Sequence, residues 1–472
     1  MQIAPRKVIN SWCMYDWANS AYNLVITSTI FPAYYEAITK GQTPDNEVMF
    51  LGRKFVNTAL YNYALGAAFI VVAFISPILT SIADYRGNKR NFMRFFCTMG
   101  AIFCTLLYFF APDPLPSDKF FLSGSSLNIG IFCMVFSCIG FWASLVFYNS
   151  FLPDLVPHRL RDRISARGYT WGYIGSVILQ ILCFIVVFLP ETFGFHTVYE
   201  KDFMPARISF VLVGLWWFGF AQIPFRNLPI STVKERHERK NVFSNGFLEL
   251  KKVWTQLKHM RVLKLFLVSF FWYSAGIQTV FLAATQFGAK ELHLPTAKLI
   301  ITIMIIQLVA IPGAILISRA SERFGNIQTL MVTVMIWIGA CIGAYNTYTD
   351  VQFYILGGIV GLVMGGIQSL SRSTYSNLMP ETKDTGSFFS FYDVTEKIAL
   401  VIGMFTFAYI EEQTIHFGGM RNSVLALIVF FMLGFIWLGM TMRAANKAKA
   451  NREMANGKRE SPLSGTHNNL PT

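Results

Sequence analysis

Asp16, Asn19 and Asn23 stand at i, i+3 and i+7 in SWCMYDWANSAYNLV, residues 11–25. That spacing puts one carboxylate and two carboxamides on a single helical stripe, with Ser20 beside it. The residues around them are apolar for about the 20 positions that a bilayer-spanning helix needs. Lipid rejects ionisable groups, so a carboxylate in such a segment faces a bundle interior or a watery cavity. There it can hold an ammonium, a guanidinium or a proton. A second set lies far along the chain. Arg372 sits in GGIQSLSRSTYSNL, and Asp393, Glu396 and Lys397 sit in FYDVTEKIAL. Asp393 and Lys397, at i and i+4, can neutralise each other. Glu396 points elsewhere on the helix and is the candidate proton site. Gln278, Gln307, Gln368 and Tyr148–Asn149 add uncharged donors and acceptors to other apolar runs. They either line the same cavity or bond a neighbouring helix.

Other chemistries lack their residues. The chain holds no HExxH, GxSxG or GxxxxGK[ST] motif, and its seven cysteines form no CxxC pair. No catalytic site, metal site or cofactor is expected, and ATP-driven pumping by this chain alone is not expected either. Hydrophobic residues make up 54% of the 472 positions and charged ones 14%; mean hydropathy is +0.45. Soluble domains run near a quarter charged, so a lipid bilayer is the natural solvent. The net charge of +14 is spread over short loops, which argues against nucleic acid. The first apolar run is broken by Asp16 and the asparagines, so it reads as a retained span and not as a cleaved leader.

Twelve spans are expected, near residues 10–36, 58–84, 91–111, 127–152, 164–190, 207–225, 262–288, 298–319, 327–347, 351–379, 387–411 and 421–443. Lys and Arg of the two termini and the even-numbered loops outnumber those of the odd-numbered loops by roughly three to one. That bias places both termini in the cytoplasm. No Asn-x-Ser/Thr sequon occurs, which points to a bacterial inner membrane. The longest loop pairs a basic stretch, STVKERHERKN, with an amphipathic one, GFLELKKVWTQLK. The expected organisation is a six-helix half over 1–225 and a cytoplasmic linker with a surface helix over 226–261. A second six-helix half follows over 262–443, then a disordered tail over 444–472.

The two halves echo each other. Asp84-x-x-Gly87-Asn88 after span 2 matches Glu322-x-x-Gly325-Asn326 after span 8, with Arg90 and other basic residues nearby. WANSAYN in span 1 echoes WYSAGIQ in span 7, and NSFLPD after span 4 echoes SNLMPE after span 10. Such a parallel repeat predicts an all-α membrane bundle of two six-helix units with a site at their interface. DYRGNKR resembles the loop between helices 2 and 3 of major facilitator transporters. WCMYDWANSAYNLVITSTIFPAYY, YNSFLPDLVP with RISARGYTWGYIGS, and GGIQSLSRSTYSNLMPETKDTGSFFSFYDVTEKIALVIG resemble the vacuole-effluxer branch of that superfamily, the autophagy-related amino-acid exporter-like proteins. The resemblance runs from Asn10 to about Arg443. It implies the major facilitator fold and a secondary transporter of a small solute, amino acids first. A monomer is expected, driven by a solute gradient or a coupled ion, protons first. Efflux of amphipathic drugs is the alternative; a membrane enzyme or a sensor is the more distant one.

In that arrangement spans 1, 4, 7 and 10 line the cavity. Asp16 lies about one and a half turns into span 1, and Arg372 about two turns from the end of span 10. The pair can meet across the cavity, as solute ligands or as a latch. Asp84, Gly87, Arg90, Glu322 and Gly325 are expected to act in conformational change.

Overall fold

The computed structural model describes residues 3–40, 47–86, 88–115, 120–229, 242–413 and 419–460. Twelve long helical rods dominate them. Span 1 runs through Arg6–Ala21, Tyr22–Ile30 and Phe31–Thr39 without a break. Asn57–Arg86, Lys89–Leu106, Gly124–Ser150, His158–Phe188 and Val198–Asn227 form spans 2 to 6. Arg261–Lys290, Thr296–Phe324, Asn326–Tyr345, Asp350–Leu378, Thr385–Gln413 and Gly419–Glu460 form spans 7 to 12. Twelve crossings return the chain to the face from which it starts, the terminal face.

Length and apolarity alone mark ten membrane-crossing helices among the described residues. The other two rods are those singled out above for their polar residues. Span 1 changes hydrogen-bond register at Tyr22 and runs as π-helix to Ile30. Ser28 donates to the Asn23 carbonyl at 2.9 Å, five residues back, and Thr29 donates to the Leu24 carbonyl. The wider turns begin three residues after Asn19 and include Asn23, and such segments cluster where helices serve a site. Span 11 carries Asp393, Glu396 and Lys397.

Two expectations change. Span 5 starts at His158, six residues before its apolar run, because the charged turn HRLRDR is helical too. Span 12 does not stop at Arg443: the helix continues to Glu460. The stretch MRAANKAKANREMANGKRE is rich in Ala, Lys, Arg and Glu, which favour helix without tertiary help. Residues 461–472 of the expected tail and 230–241 of the linker lie outside the described residues. The rest of the linker includes the helix Val242–His259. Its Val253 and Leu257 are buried and its Trp254 is exposed. Trp254 packs on Phe391 of span 11 at 5.5 Å, and Lys252 reaches Asp384 at 3.4 Å.

On the face opposite the termini a short hairpin, β1 (Glu47–Phe50) and β2 (Arg53–Val56), joins spans 1 and 2. Leu51 and Gly52 both take positive φ, the geometry of a two-residue hairpin turn.

Buried apolar side chains form two clusters. One draws on residues 9–228 plus Leu400, the other on residues 253–438. Large apolar side chains also cover the outside: Phe74 is 74% exposed and Phe405 73%. In water such patches would drive association; in a bilayer they face lipid.

Candidate functional site

Asp16 and Arg372 meet. Nη1 and Nη2 of Arg372 each lie 3.4 Å from Asp16 Oδ2, and the Tyr148 hydroxyl donates to that same oxygen at 2.6 Å. Arg372 also donates from Nε to Ser165 Oγ (2.9 Å), from Nη2 to the Ser165 carbonyl (2.9 Å) and from Nη1 to Asn149 Oδ1 (3.2 Å). The rings of Tyr169, Trp12 and Tyr148 surround the guanidinium at 4.3, 4.8 and 5.4 Å. Asp16 is 3% exposed and Arg372 1%. A pair this deep persists only when partners replace lost water, and here hydroxyls, carbonyls and ring faces do so.

Glycines permit the approach. A Cβ on Gly168 of span 5 would stand 2.5 Å from Asp16 Oδ2 and 3.1 Å from Arg372 Nη2. One on Gly172 would meet Ser20 Oγ at 2.5 Å, and one on Gly175 the Trp17 carbonyl at 2.7 Å. Small residues at these intervals let spans 1 and 5 close to backbone contact.

Above the pair lies an inner cavity of about 130 Å³. From spans 1 and 4 it is lined by Asp16, Asn19, Asn23 and Asn149. From spans 7, 10 and 11 it is lined by Gln278, Gln368, Arg372, Asp393 and Glu396. Gln307 of span 8 joins them. Both polar atoms of Asn19 are buried without a hydrogen-bond partner, and so is Asp393 Oδ2. Gln368 Oε1 accepts from the Tyr173 hydroxyl at 2.8 Å. Gln278 donates to Glu396 Oε1 at 3.0 Å. Lys397 does not line the cavity; it bonds Asp393 and lies 3.5 Å from Glu396 Oε2.

A larger, apolar cavity of about 460 Å³ continues from this one towards the opposite face. Thr27, Leu65, Phe281 and Met364 border both, so spans 1, 2, 7 and 10 each lend a side chain to the passage between them.

The terminal face is shut by bonds between the first six spans and the last six. Asp84 accepts from the backbone N–H of Gly386 (3.1 Å) and Ser387 (2.6 Å), and from the Ser387 hydroxyl (3.0 Å). A carboxylate there satisfies the orphan donors and the dipole at the start of span 11. Lys89 bonds Thr385, Asp154 at 2.9 Å and Asp84 at 3.5 Å. Arg90 donates to the Leu228 carbonyl at 2.8 Å, within the first six spans. Gly87 lies outside the described residues. Gly325 takes φ of +90°, so its glycine serves the turn. Glu322 is exposed and does not copy Asp84. Asp162 of span 5 does the equivalent work, accepting from Asn326 Nδ2 (2.8 Å), Ser321 Oγ (3.3 Å) and Asn377 Nδ2 (3.4 Å). Next to it, Arg161 donates to the Ser376 carbonyl at 2.5 Å and Ser165 to the Ser369 carbonyl at 2.7 Å.

Sequence reasoning missed Lys89, Asp154, Arg161 and Asp162 because they fall in segments read as loops. It also missed Trp12, Ser165, Tyr169 and Tyr173, which carry no charge to mark them. The available signal was the glycine spacing of RISARGYTWGYIGS, which announces a close helix contact beside Asp16.

A sequence profile of the family described as vacuole effluxer Atg22 like matches residues 4–453. The chain is 32% identical over 434 residues to the uncharacterized MFS-type transporter YxiO of Bacillus subtilis, covering 91% of this chain and 93% of that one. It is 26% identical over 461 residues to autophagy-related protein 22 of Kluyveromyces lactis, covering 87% and 88%. Among solved structures it resembles the major facilitator transporter FucP in its outward conformation, with TM-score 0.65, 12% identity and coverage of 92% and 99%. The proton:xylose symporter XylE bound to 6-bromo-6-deoxy-D-glucose gives TM-score 0.65, 12% identity and coverage of 92% and 95%. The chain thus has the major facilitator fold and belongs to the vacuole effluxer Atg22-like family.

Proposed function

We propose that this chain carries small zwitterionic solutes, amino acids first, across a bacterial inner membrane. It would do so by alternating access between two six-helix halves, residues 1–225 and 262–443, joined by the linker 226–261. Transport as such follows from the family and fold. One observation supports the substrate class: a single cavity presents an arginine at one end and unpaired carboxylate and carboxamide atoms along its walls. An amino acid offers a carboxylate and an ammonium to match. The excess of Lys and Arg on the terminal face supports reading that face as cytoplasmic. The bonds closing it, with a cavity open towards the other face, then describe an outward-facing carrier.

A solute or proton gradient supplies the energy. The carrier works as a monomer, since one chain holds the whole site. The apolar 460 Å³ cavity favours a second reading, efflux of amphipathic drugs.

Thermal stabilisation of the purified protein separates the two. A ligand at about a hundred times its Kd adds about 2.7 kcal/mol. Amino acids should stabilise, and analogues lacking either the ammonium or the carboxylate should not. Stabilisation by amphipathic cations alone would move the assignment to drugs.

A further inference from the structure

Span 11 sets two carboxylates against one ammonium at the wall of the inner cavity. Lys397 bonds Asp393 and lies 3.5 Å from Glu396 Oε2. The Trp142 ring of span 4 closes its remaining side, 3.8 Å from Nζ to the ring centroid. The ammonium is therefore caged, with its side chain 3% exposed. Glu396 Oε1 takes a hydrogen bond from Gln278. Asp393 Oδ2 is buried and makes no hydrogen bond, with the Ser76 hydroxyl of span 2 close to the carboxyl. Both carboxylates line the cavity; Lys397 stands behind them.

The charges do not balance. Asp16 and Arg372 cancel, and so do Lys397 and one of its two carboxylates. One negative charge is left over, next to a cavity with low-dielectric walls. A buried surplus charge is neutralised by whatever cation can reach it. The other titratable groups around the triad are Tyr273 of span 7, Tyr169 of span 5, Cys138 of span 4 and Tyr392 of span 11. Phenols and thiols ordinarily titrate near about 10 and about 8.5, so they stay neutral where carboxyls change state. Arg372 of span 10 has its charge balanced by Asp16.

We infer that the Asp393–Glu396–Lys397 triad holds one added positive charge at a time, either a proton or the ammonium of a solute. The two exclude each other, so the carrier exchanges solute for protons. A proton that neutralises the pair must leave to the cavity before an ammonium takes its place, and it returns when the solute departs. This inference rests on the inner cavity being the solute site.

Infrared difference spectroscopy on the purified full-length protein reads the protonated carboxyl directly, with methylammonium as the cation probe. Acidification of the wild type should raise a carboxylic-acid band worth one carboxyl more than in Glu396→Gln. Methylammonium at fixed pH should abolish that difference and release one proton per chain into weakly buffered solution. Lys397→Met removes the compensating charge and should double the band, whereas Lys397→Arg, which keeps it, should leave one proton. A band unchanged by methylammonium, or present in both Glu396→Gln and Asp393→Asn, overturns the inference. Stabilisation by amino acids without band loss would remove the exchange and leave the amino-acid assignment. Band loss with no stabilisation by any amino acid would do the reverse.

Discussion

Asp84, at the end of span 2, caps the start of span 11 by accepting both the backbone N–H and the hydroxyl of Ser387, at 2.6 and 3.0 Å. These bonds cross from the first six spans to the last six, so they exist only while the terminal face is shut. A charge-assisted hydrogen bond contributes about 1.5–3 kcal/mol. Losing even one shifts an equilibrium by roughly tenfold or more. Asp84→Ala should therefore raise maleimide labelling of a Ser376→Cys reporter from the terminal face by at least that factor. Glu322→Ala, at the matching but exposed position, should change it little. Equal effects of the two would show that the loop carboxylates play symmetrical parts.

Asp16 and Arg372 are buried together, and the energetics of such pairs are asymmetric. Breaking one by removing a partner costs about 3–5 kcal/mol, because it strands a charge; removing both costs far less. Arg372→Gln alone should lower the melting temperature more than Asp16→Asn combined with Arg372→Gln. A thermal melt of the four proteins gives the cycle. A strictly additive result would mean that the two charges act independently.

Gly168→Ala tests the fit without altering charge. The added methyl would stand 2.5 Å from Asp16 Oδ2, so the pair must spread or span 5 must retreat. Overpacking of this kind costs about 1–3 kcal/mol. Solute affinity should fall, while Gly219→Ala, whose Cβ meets nothing within 4 Å, should bind as wild type. Isothermal binding measurements on both variants decide the point.

Asn19 has a donor and an acceptor shut from solvent with nothing to bond. A bound solute that satisfies both gains what water would otherwise supply. Asn19→Leu should keep the fold, since it buries no orphan polar group, yet lower affinity by roughly tenfold to a hundredfold at about 1–3 kcal/mol. Unchanged affinity would take Asn19 out of the solute's contact.

Much of this was legible before any coordinates. Ionisable groups in apolar runs stand out because lipid tolerates so few, and Asp16, Arg372, Asp393 and Glu396 do line one cavity. The repeat of Asp84-x-x-Gly with Glu322-x-x-Gly was also visible, but it suggested equal roles. The structure divides them: Asp84 acts from the loop side of its latch, and Asp162 acts from the span side of the other. Asp162 went unseen because HRLRDR looks like loop until the helix that contains it is seen to start at His158. The aromatic cage of Arg372 was equally hidden, since Trp12 and Tyr169 are ordinary residues in a chain with 10 tryptophans and 19 tyrosines. Only their positions in space separate them from packing.

The most direct measurement is uptake of pooled labelled amino acids into proteoliposomes, with and without an imposed pH gradient, by wild type and Asp16→Asn. The account predicts uptake by the wild type that responds to the gradient, and its loss in Asp16→Asn. Wild-type uptake that Asp16→Asn leaves intact, or no uptake of any amino acid under either condition, would contradict it.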